Sequence, residues 1–167
     1  MRAEDATEIS FSRRMKSLLS GRVCVFGVGN RERRDDGAGS LLAERLAGGT
    51  DVLSIDAGAV PENYLEKVAR WRPDTILIID ATDFGGEVGE VRILDPGLVG
   101  PSALSTHALS LQMTADYLGA RTQARLALIA IQPADVGMGT EMSDAVSRAI
   151  ARLQDLFFEV FCGPAPS

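Results

Sequence analysis

The chain has 167 residues, of which 46% are hydrophobic and 24% charged, a composition typical of one globular domain that buries a sizeable core. Its formal net charge is -6 and its pI is about 4.8, so it lacks the basic surface that attracts nucleic acids and anionic membranes. We therefore expect no nucleic-acid partner and no membrane insertion.

The two ends of the chain and its cysteines indicate the cellular setting. The first twenty residues contain three acids and no continuous apolar stretch, unlike a secretory signal or a transit peptide. Cys24 and Cys162 are far apart in sequence, which favours a reduced, cytoplasmic setting with both thiols as packing groups. We expect a single domain over residues 1–167, divided into an N-terminal extension at 1–20, a core at 22–161 and a frayed tail at 162–167.

Helices are predicted between strands along the whole chain. The first covers residues 8–19, the second 36–47, and the third begins at Pro61. The fourth follows a cap at Ser105 or Thr106, and the last is the long amphipathic segment SDAVSRAIARLQDLFFEVF.

Five strands are predicted, in GRVCVFGVG, DVLSID, DTILIIDATD, GEVGEVRILDP and ARLALIAIQP. The third is apolar on both faces, as a central strand is, and the fourth alternates as an edge strand does. The alternation of strands and helices predicts an α/β fold, a three-layer α/β/α sandwich around a five-stranded, mostly parallel twisted sheet.

The segment FGVGNRERRDDGAG follows the first strand and has two possible interpretations. As a dinucleotide-binding loop it would need a third glycine, where Glu32 stands, and it would place a pyrophosphate beside Asp35 and Asp36. Asp56 could then be the ribose-binding acid. The broken glycine pattern makes this nucleotide-binding interpretation the less favoured one.

The other interpretation is a loop that carries carboxylates to the carboxyl ends of the strands, where α/β sheets bind ligands. Asp35 would cap the second helix, and Asp36 would project into the crevice. Asp80 ends the apolar strand TILIID, where a carboxylate requires hydrogen bonds, water or a metal. Asp83 is interpreted as a turn-forming surface acid.

His107 is the single histidine of the chain and is predicted in the first turn of the fourth helix. A helix N-terminus should lower the pKa of its imidazole and favour the neutral form that binds metals. Asp36, Asp80 and His107 would together suit a divalent ion such as zinc or nickel, with coordination positions left open. An ordinary polar role for His107 remains the alternative.

Six motifs in this order resemble the hydrogenase maturation protease family, endopeptidases that trim the C-terminus of the large subunit of nickel-iron hydrogenases. The motifs are GVGN with DDGAG, IDAGAVPEN, LIIDATD, GEVRILDP, STHALSL and IAIQPADVG, within about residues 22–161. The pattern is most similar to the branch that serves formate-hydrogenlyase and related membrane-bound hydrogenases. The resemblance implies that Asp36, Asp80 and His107 are the metal-contacting and catalytic residues.

The resemblance also implies that the partner is a hydrogenase large-subunit precursor and that the ion is nickel supplied by that precursor. Zinc or cadmium are other divalent ions that such a site accepts. Three features depart from the family pattern: the polar RERR before the acid pair, DAG in place of DGG at Asp56, and the additional N-terminal twenty residues. The RERR loop would either alter substrate choice or be a solvated variable loop. It is also the main support for the alternative of a non-catalytic relative that binds a metal or a partner.

Overall fold

The computed structural model describes residues 3–98 and 107–163. In these residues the strands are β1 (Val23–Val28), β2 (Leu53–Gly58), β3 (Thr75–Ala81), β4 (Val91–Leu94) and β5 (Arg125–Ile131). The helices are α1 (Ala3–Leu18), α2 (Ala38–Leu46), α3 (Leu65–Trp71), α4 (Ala108–Arg121) and α5 (Asp144–Cys162). No helix in the described residues is both long and apolar enough to cross a bilayer.

The strands form one sheet in the order β2-β1-β3-β5-β4. The pairs β1–β2, β1–β3 and β3–β5 are parallel, and β4 runs antiparallel to β5 at one edge. The predicted α/β/α sandwich with a mostly parallel sheet is confirmed, as are the central position of β3 and the edge position of β4.

Helices cover both faces of the sheet, which explains why β3 is apolar on both. Leu77 and Ile79 pack on one side with side chains of α1, α2 and α5. Ile76 and Ile78 pack on the other side with side chains of α3 and α4. The alternation of side chains along a strand places successive residues in these two cores.

Helix α1 starts earlier than predicted, at Ala3 instead of residue 8. Its Met15 is fully buried in the core below α2 and α5. Arg14 Nη1 also donates to the carbonyl oxygen of Ile93 at 3.3 Å, so the helix contacts the edge strand β4. The N-terminal segment is therefore packed on the sheet.

The second predicted helix is divided in two. A short 3-10 turn, Arg34–Gly37, precedes α2, which begins at Ala38. The predicted caps Ser105 and Thr106 lie outside the described residues, and His107 is the residue that precedes α4.

The cysteines have different environments. Cys24 is fully buried in β1, and burial raises the pKa of its thiol to about 12. Cys162 ends α5 and is exposed, so the packing interpretation is correct for Cys24 and wrong for Cys162. The final residues of the predicted frayed tail, 164–167, lie outside the described residues.

Candidate active site

The candidate site lies where the strand order reverses. Strand β1 is flanked by β2 on one side and β3 on the other, so the loops after β1 and β3 leave the sheet in different directions. This crevice at the carboxyl ends of the strands is the usual ligand site of open α/β sheets. Asp36 follows β1 and Asp80 lies near the end of β3, both fully buried.

Asp36 and His107 are in direct contact. Asp36 Oδ2 lies 3.0 Å from His107 Nε2 and also accepts a hydrogen bond from the backbone N–H of Asn30 at 3.0 Å. The side chain of His107 is only 12% exposed. Asp80 Oδ2 accepts a hydrogen bond from Thr82 Oγ1 at 3.1 Å. The structure thus joins two residues that are 71 positions apart in sequence.

The electrostatics of His107 differ from the prediction. The hydrogen bond to Asp36 raises the pKa of the imidazole, and burial opposes this, while the charges of Asp80 and Asp36 raise it further. The predicted lowering of the His107 pKa is wrong, because the neighbouring carboxylates stabilise the imidazolium more than burial disfavours it. His107 also precedes α4 as its N-cap, outside the first turn.

Asp36 and His107 offer an oxygen and a nitrogen, donor types that divalent ions such as zinc and nickel accept. Their 3.0 Å separation is that of an ordinary hydrogen bond. Within residues 3–98 and 107–163, however, no group of three or more His, Cys, Asp or Glu side chains has the arrangement needed to hold a metal ion. The assignment of Asp36, Asp80 and His107 as metal-contacting residues stays a prediction.

The sequence predicts that Asp35 caps the second helix, and this prediction is wrong: the residue that precedes α2 is Gly37. The buried carboxylate of Asp35 accepts hydrogen bonds from the loop before α5: from Ser143 N–H and Oγ–H at 2.8 and 2.9 Å, and from Ala134 N–H at 2.8 Å. The adjacent residues Asp35 and Asp36 therefore have different structural roles. Asp35 binds the loop between β5 and α5, and Asp36 faces His107.

The loop containing RERR is docked on the segment that follows β5. The N–H of Arg34 donates to Gly139 O at 2.9 Å, and the N–H of Gly139 donates to Glu32 O at 2.8 Å. Arg33 Nε donates to Val136 O at 3.1 Å. The loop is therefore held by hydrogen bonds to the segment after β5, while its side chains remain partly or fully exposed. An effect of this loop on substrate choice stays a prediction.

Gln132, at the end of β5, organises the loop after β3. Its Oε1 accepts hydrogen bonds from Phe84 N–H and Gly86 N–H at 2.9 and 3.1 Å, and its Nε2 donates to Asp83 Oδ1 at 2.9 Å. The bond from Gln132 is the largest cause that lowers the pKa of Asp83, and a bond from Gly85 N–H is the second. Because Asp83 accepts from the N–H two residues further on, it forms a turn, as predicted. The position of Gln132 at a strand end was the available sequence signal.

The loop after β1 leaves no phosphate cradle. The N–H of Asn30 is bonded to the Asp36 carboxylate, and a Cβ on Gly29 would collide with the carbonyl oxygen of Asp36. Asp56 forms an ion pair with Arg31 at 3.3 Å instead of marking a ribose site. The carboxylate interpretation of this segment is therefore favoured over the nucleotide interpretation.

Comparisons with known proteins identify the family of this chain. The HycI family model, described as hydrogenase maturation protease, matches residues 38–159. The hydrogenase 3 maturation protease of Escherichia coli strain K12 is 37% identical over 134 residues, which cover 76% of this chain and 85% of that protein.

Solved structures of hydrogenase maturation proteases are also similar to this chain. A crystal structure of the [NiFe] hydrogenase maturation protease HycI from Thermococcus kodakarensis has a TM-score of 0.80 and 38% identity, covering 88% of this chain and 97% of that one. The solution structure of the Escherichia coli endopeptidase HycI has a TM-score of 0.69 and 32% identity, covering 81% and 88%. The protein is thus an α/β peptide hydrolase. It belongs to the hydrogenase maturation protease family.

Proposed function

We propose that this protein removes the C-terminal peptide from the precursor of a nickel-iron hydrogenase large subunit after nickel has been inserted. The observation that carries the proposal is the contact between the buried Asp36 carboxylate and the His107 imidazole, 3.0 Å apart at the carboxyl edge of the sheet. Membership of the hydrogenase maturation protease family supports the substrate class.

In this proposal Asp36, Asp80 and His107 contact nickel that the precursor carries. An oxygen and a nitrogen donor are in place, and the ion's remaining ligands, cysteine thiolates included, come from the precursor. Because the protein alone offers an incomplete ligand set, it binds a free ion weakly and distinguishes a loaded precursor from an empty one. Zinc or cadmium would substitute for nickel in binding experiments, since both accept carboxylate and imidazole ligands.

The protein's own residues hold this arrangement in place. Asn30 N–H and Thr82 Oγ–H fix the carboxylates of Asp36 and Asp80, and Asp36 orients the ring of His107. A nickel ion held there would polarise a nearby carbonyl group or lower the pKa of a water molecule.

The test compares nickel-loaded and nickel-free precursors mixed with the full chain, with release of the C-terminal peptide followed by mass spectrometry. We expect cleavage of the loaded precursor alone. His107→Ala should abolish cleavage while the melting temperature stays near that of the wild type. Gln112→Ala, on the same helix and bonded only to Asp116 among the described residues, is the matched control that should cleave normally.

Each other outcome contradicts a defined part of the proposal. Equal cleavage of both precursors would contradict recognition of nickel. Cleavage of neither would favour the non-catalytic binding relative. If a dinucleotide raises the melting temperature and a divalent metal does not, the result would support the nucleotide-binding alternative.

A further inference from the structure

Asp35 connects the loop after β1 to both ends of the loop between β5 and α5. The residue is 1% exposed, and its Oδ1 accepts a hydrogen bond from Ser143 N–H at 2.8 Å. Its Oδ2 accepts from Ser143 Oγ–H at 2.9 Å, from Ala134 N–H at 2.8 Å and from Asp135 N–H at 3.4 Å. Four donors of one loop therefore converge on a single buried carboxylate.

The backbone before Asp35 is held in a conformation that is unfavourable by itself. Arg34 has a φ of 48°, in the left-handed region that residues with a side chain rarely adopt. The N–H of Arg34 donates to Gly139 O at 2.9 Å, and the N–H of Asp35 donates to Asp135 O at 3.1 Å. Strained backbone of this kind persists where the surrounding structure fixes it, and it is common at active sites. Contacts with the β5–α5 loop thus impose the turn that carries Asp35.

The same turn carries Asp36. It follows Asp35 in the 3-10 turn Arg34–Gly37. Its Oδ2 lies 3.0 Å from both the backbone nitrogen of Asn30 and Nε2 of His107. Because consecutive Cα atoms are only about 3.8 Å apart, a shift of Asp35 displaces the backbone of Asp36 and changes its distance from His107.

We propose that Asp35 is a positioning residue for peptide cleavage: by binding the β5–α5 loop, it holds Asp36 in contact with His107. This inference rests on the proposed function. The carboxylate of Asp35 acts through Asp36 and takes no part in the chemistry itself. The effect on the rate is expected to be large, because a reacting group that is misplaced by about 1 Å loses much of its contribution.

Asp35→Asn tests this role because it keeps the size of the side chain. An amide has one acceptor oxygen and one NH2 group, which only donates. Whichever way the amide is turned, its NH2 group faces the N–H of Ala134 or of Ser143, so one side of the connection is lost. Ser143→Ala is a milder variant, since it removes only the Oγ–H donor and leaves every charge in place.

The first measurement needs neither precursor nor nickel. His107 is the single histidine, and the ¹H signals of its imidazole respond to its distance from Asp36. At a fixed pH we expect these signals to shift in Asp35→Asn and, by less, in Ser143→Ala. Met15→Ala is the matched control, because it destabilises the core through a fully buried residue of α1, and it should leave the signals unshifted.

The second measurement gives kcat and KM on nickel-loaded precursor, at a temperature at which every variant is folded. We expect kcat to fall by about 10–100-fold in Asp35→Asn, as for loss of an outer partner of a metal-contacting side chain. Ser143→Ala should lose less than about tenfold, with KM within about threefold of the wild type in both variants. Met15→Ala should keep the wild-type kcat.

A purely structural role for Asp35 predicts a lower melting temperature with the imidazole signals and kcat of the wild type. That result would overturn the inference, as would a rise in KM with an unchanged kcat. If Asp35→Asn does not fold, Ser143→Ala carries the test, and unshifted signals in that variant overturn the inference. If the wild type does not cleave loaded precursor, the proposed function fails, and the imidazole signals still decide whether Asp35 positions Asp36.

Discussion

The contact between Asp36 and His107 determines which protonation state the site favours. Buried carboxylates around a nearly enclosed imidazole stabilise the imidazolium, so the pKa of His107 is raised above 6.5 in the folded protein. An imidazolium cannot bind a metal, since its nitrogen lone pair carries the proton. Binding of a divalent ion should therefore strengthen as the pH rises through the pKa of His107.

This gives a prediction that a single NMR signal can test. Because the chain has one histidine, its imidazole ¹H resonance needs no assignment by mutation. We expect a pKa above 6.5 in the native protein and a lower value in Asp36→Asn, which removes the largest cause of the shift. Asp56→Asn, which alters a surface pair with Arg31, should leave it unchanged.

The effect on stability has a defined sign. A pKa raised by folding means that the native state binds the proton more tightly than the unfolded state. The stabilisation is fully present below pH 6.5 and is lost as the pH rises through the native pKa. A native pKa below 6.5 would contradict this account of the site.

The local sequence pattern predicted where Asp36, Asp80 and His107 lie in the fold. It did not predict the hydrogen bonds and charges that surround them. Strand ends and helix starts can be recognised from short apolar runs, which placed the three residues at one edge of the sheet. The role of Asp35 could not be predicted, because its partner Ser143 is 108 residues away and leaves no local signal. The pKa of His107 was missed for the same reason, since it depends on a carboxylate brought in by the fold.

At the scale of elements, α2 lies unusually close to the sheet at its first turn. A Cβ on Gly39 would collide with the carbonyl oxygens of Val28 and Ile79, one from the end of β1 and one from β3. Gly27, from the segment considered as a nucleotide loop, serves the same packing, because a Cβ there would collide with the carbonyl oxygen of Gly39 in α2. The strands themselves were predicted well, since burial on both faces makes their apolar runs continuous.

Gly39→Ala should therefore destabilise the fold. Backbone atoms cannot move aside as a side chain can, so we expect a loss of about 3 kcal/mol in the free energy of unfolding, measured by urea denaturation. Gly119→Ala in α4 is the matched control, because its Cβ would meet Leu126 Cδ1 at an ordinary 3.6 Å. That variant should be stabilised by about 0.5 kcal/mol. Equal effects of the two substitutions would refute the packing argument.

At the scale of the whole molecule, α1 completes the layer that α2 and α5 begin. Met15 is fully buried in that layer, whereas Ile9, two turns earlier, is 50% exposed. The outer edge of β4 is also contacted by α1 through Arg14. The first helix therefore contributes to the core that supports the site.

Met15→Ala tests this contribution. Removal of a fully buried methionine side chain should lower the free energy of unfolding by about 2–5 kcal/mol, as judged from chemical denaturation. Ile9→Ala, on the same helix but half exposed, should cost less than about 1 kcal/mol. Similar small losses in both variants would indicate that the helix is attached only loosely.

The hydrogen bonds that Ser143 donates to Asp35 have a consequence for the timing of biosynthesis. While the ribosome extends the chain, Asp35 emerges long before its partner, and a carboxylate left without these donors would remain in water. Because Asp36 follows Asp35 directly, we expect it to be fixed in its final position only after Ser143 has been synthesised. A newly made molecule would thus gain the ability to cut peptides last, after the rest of its sheet has been synthesised.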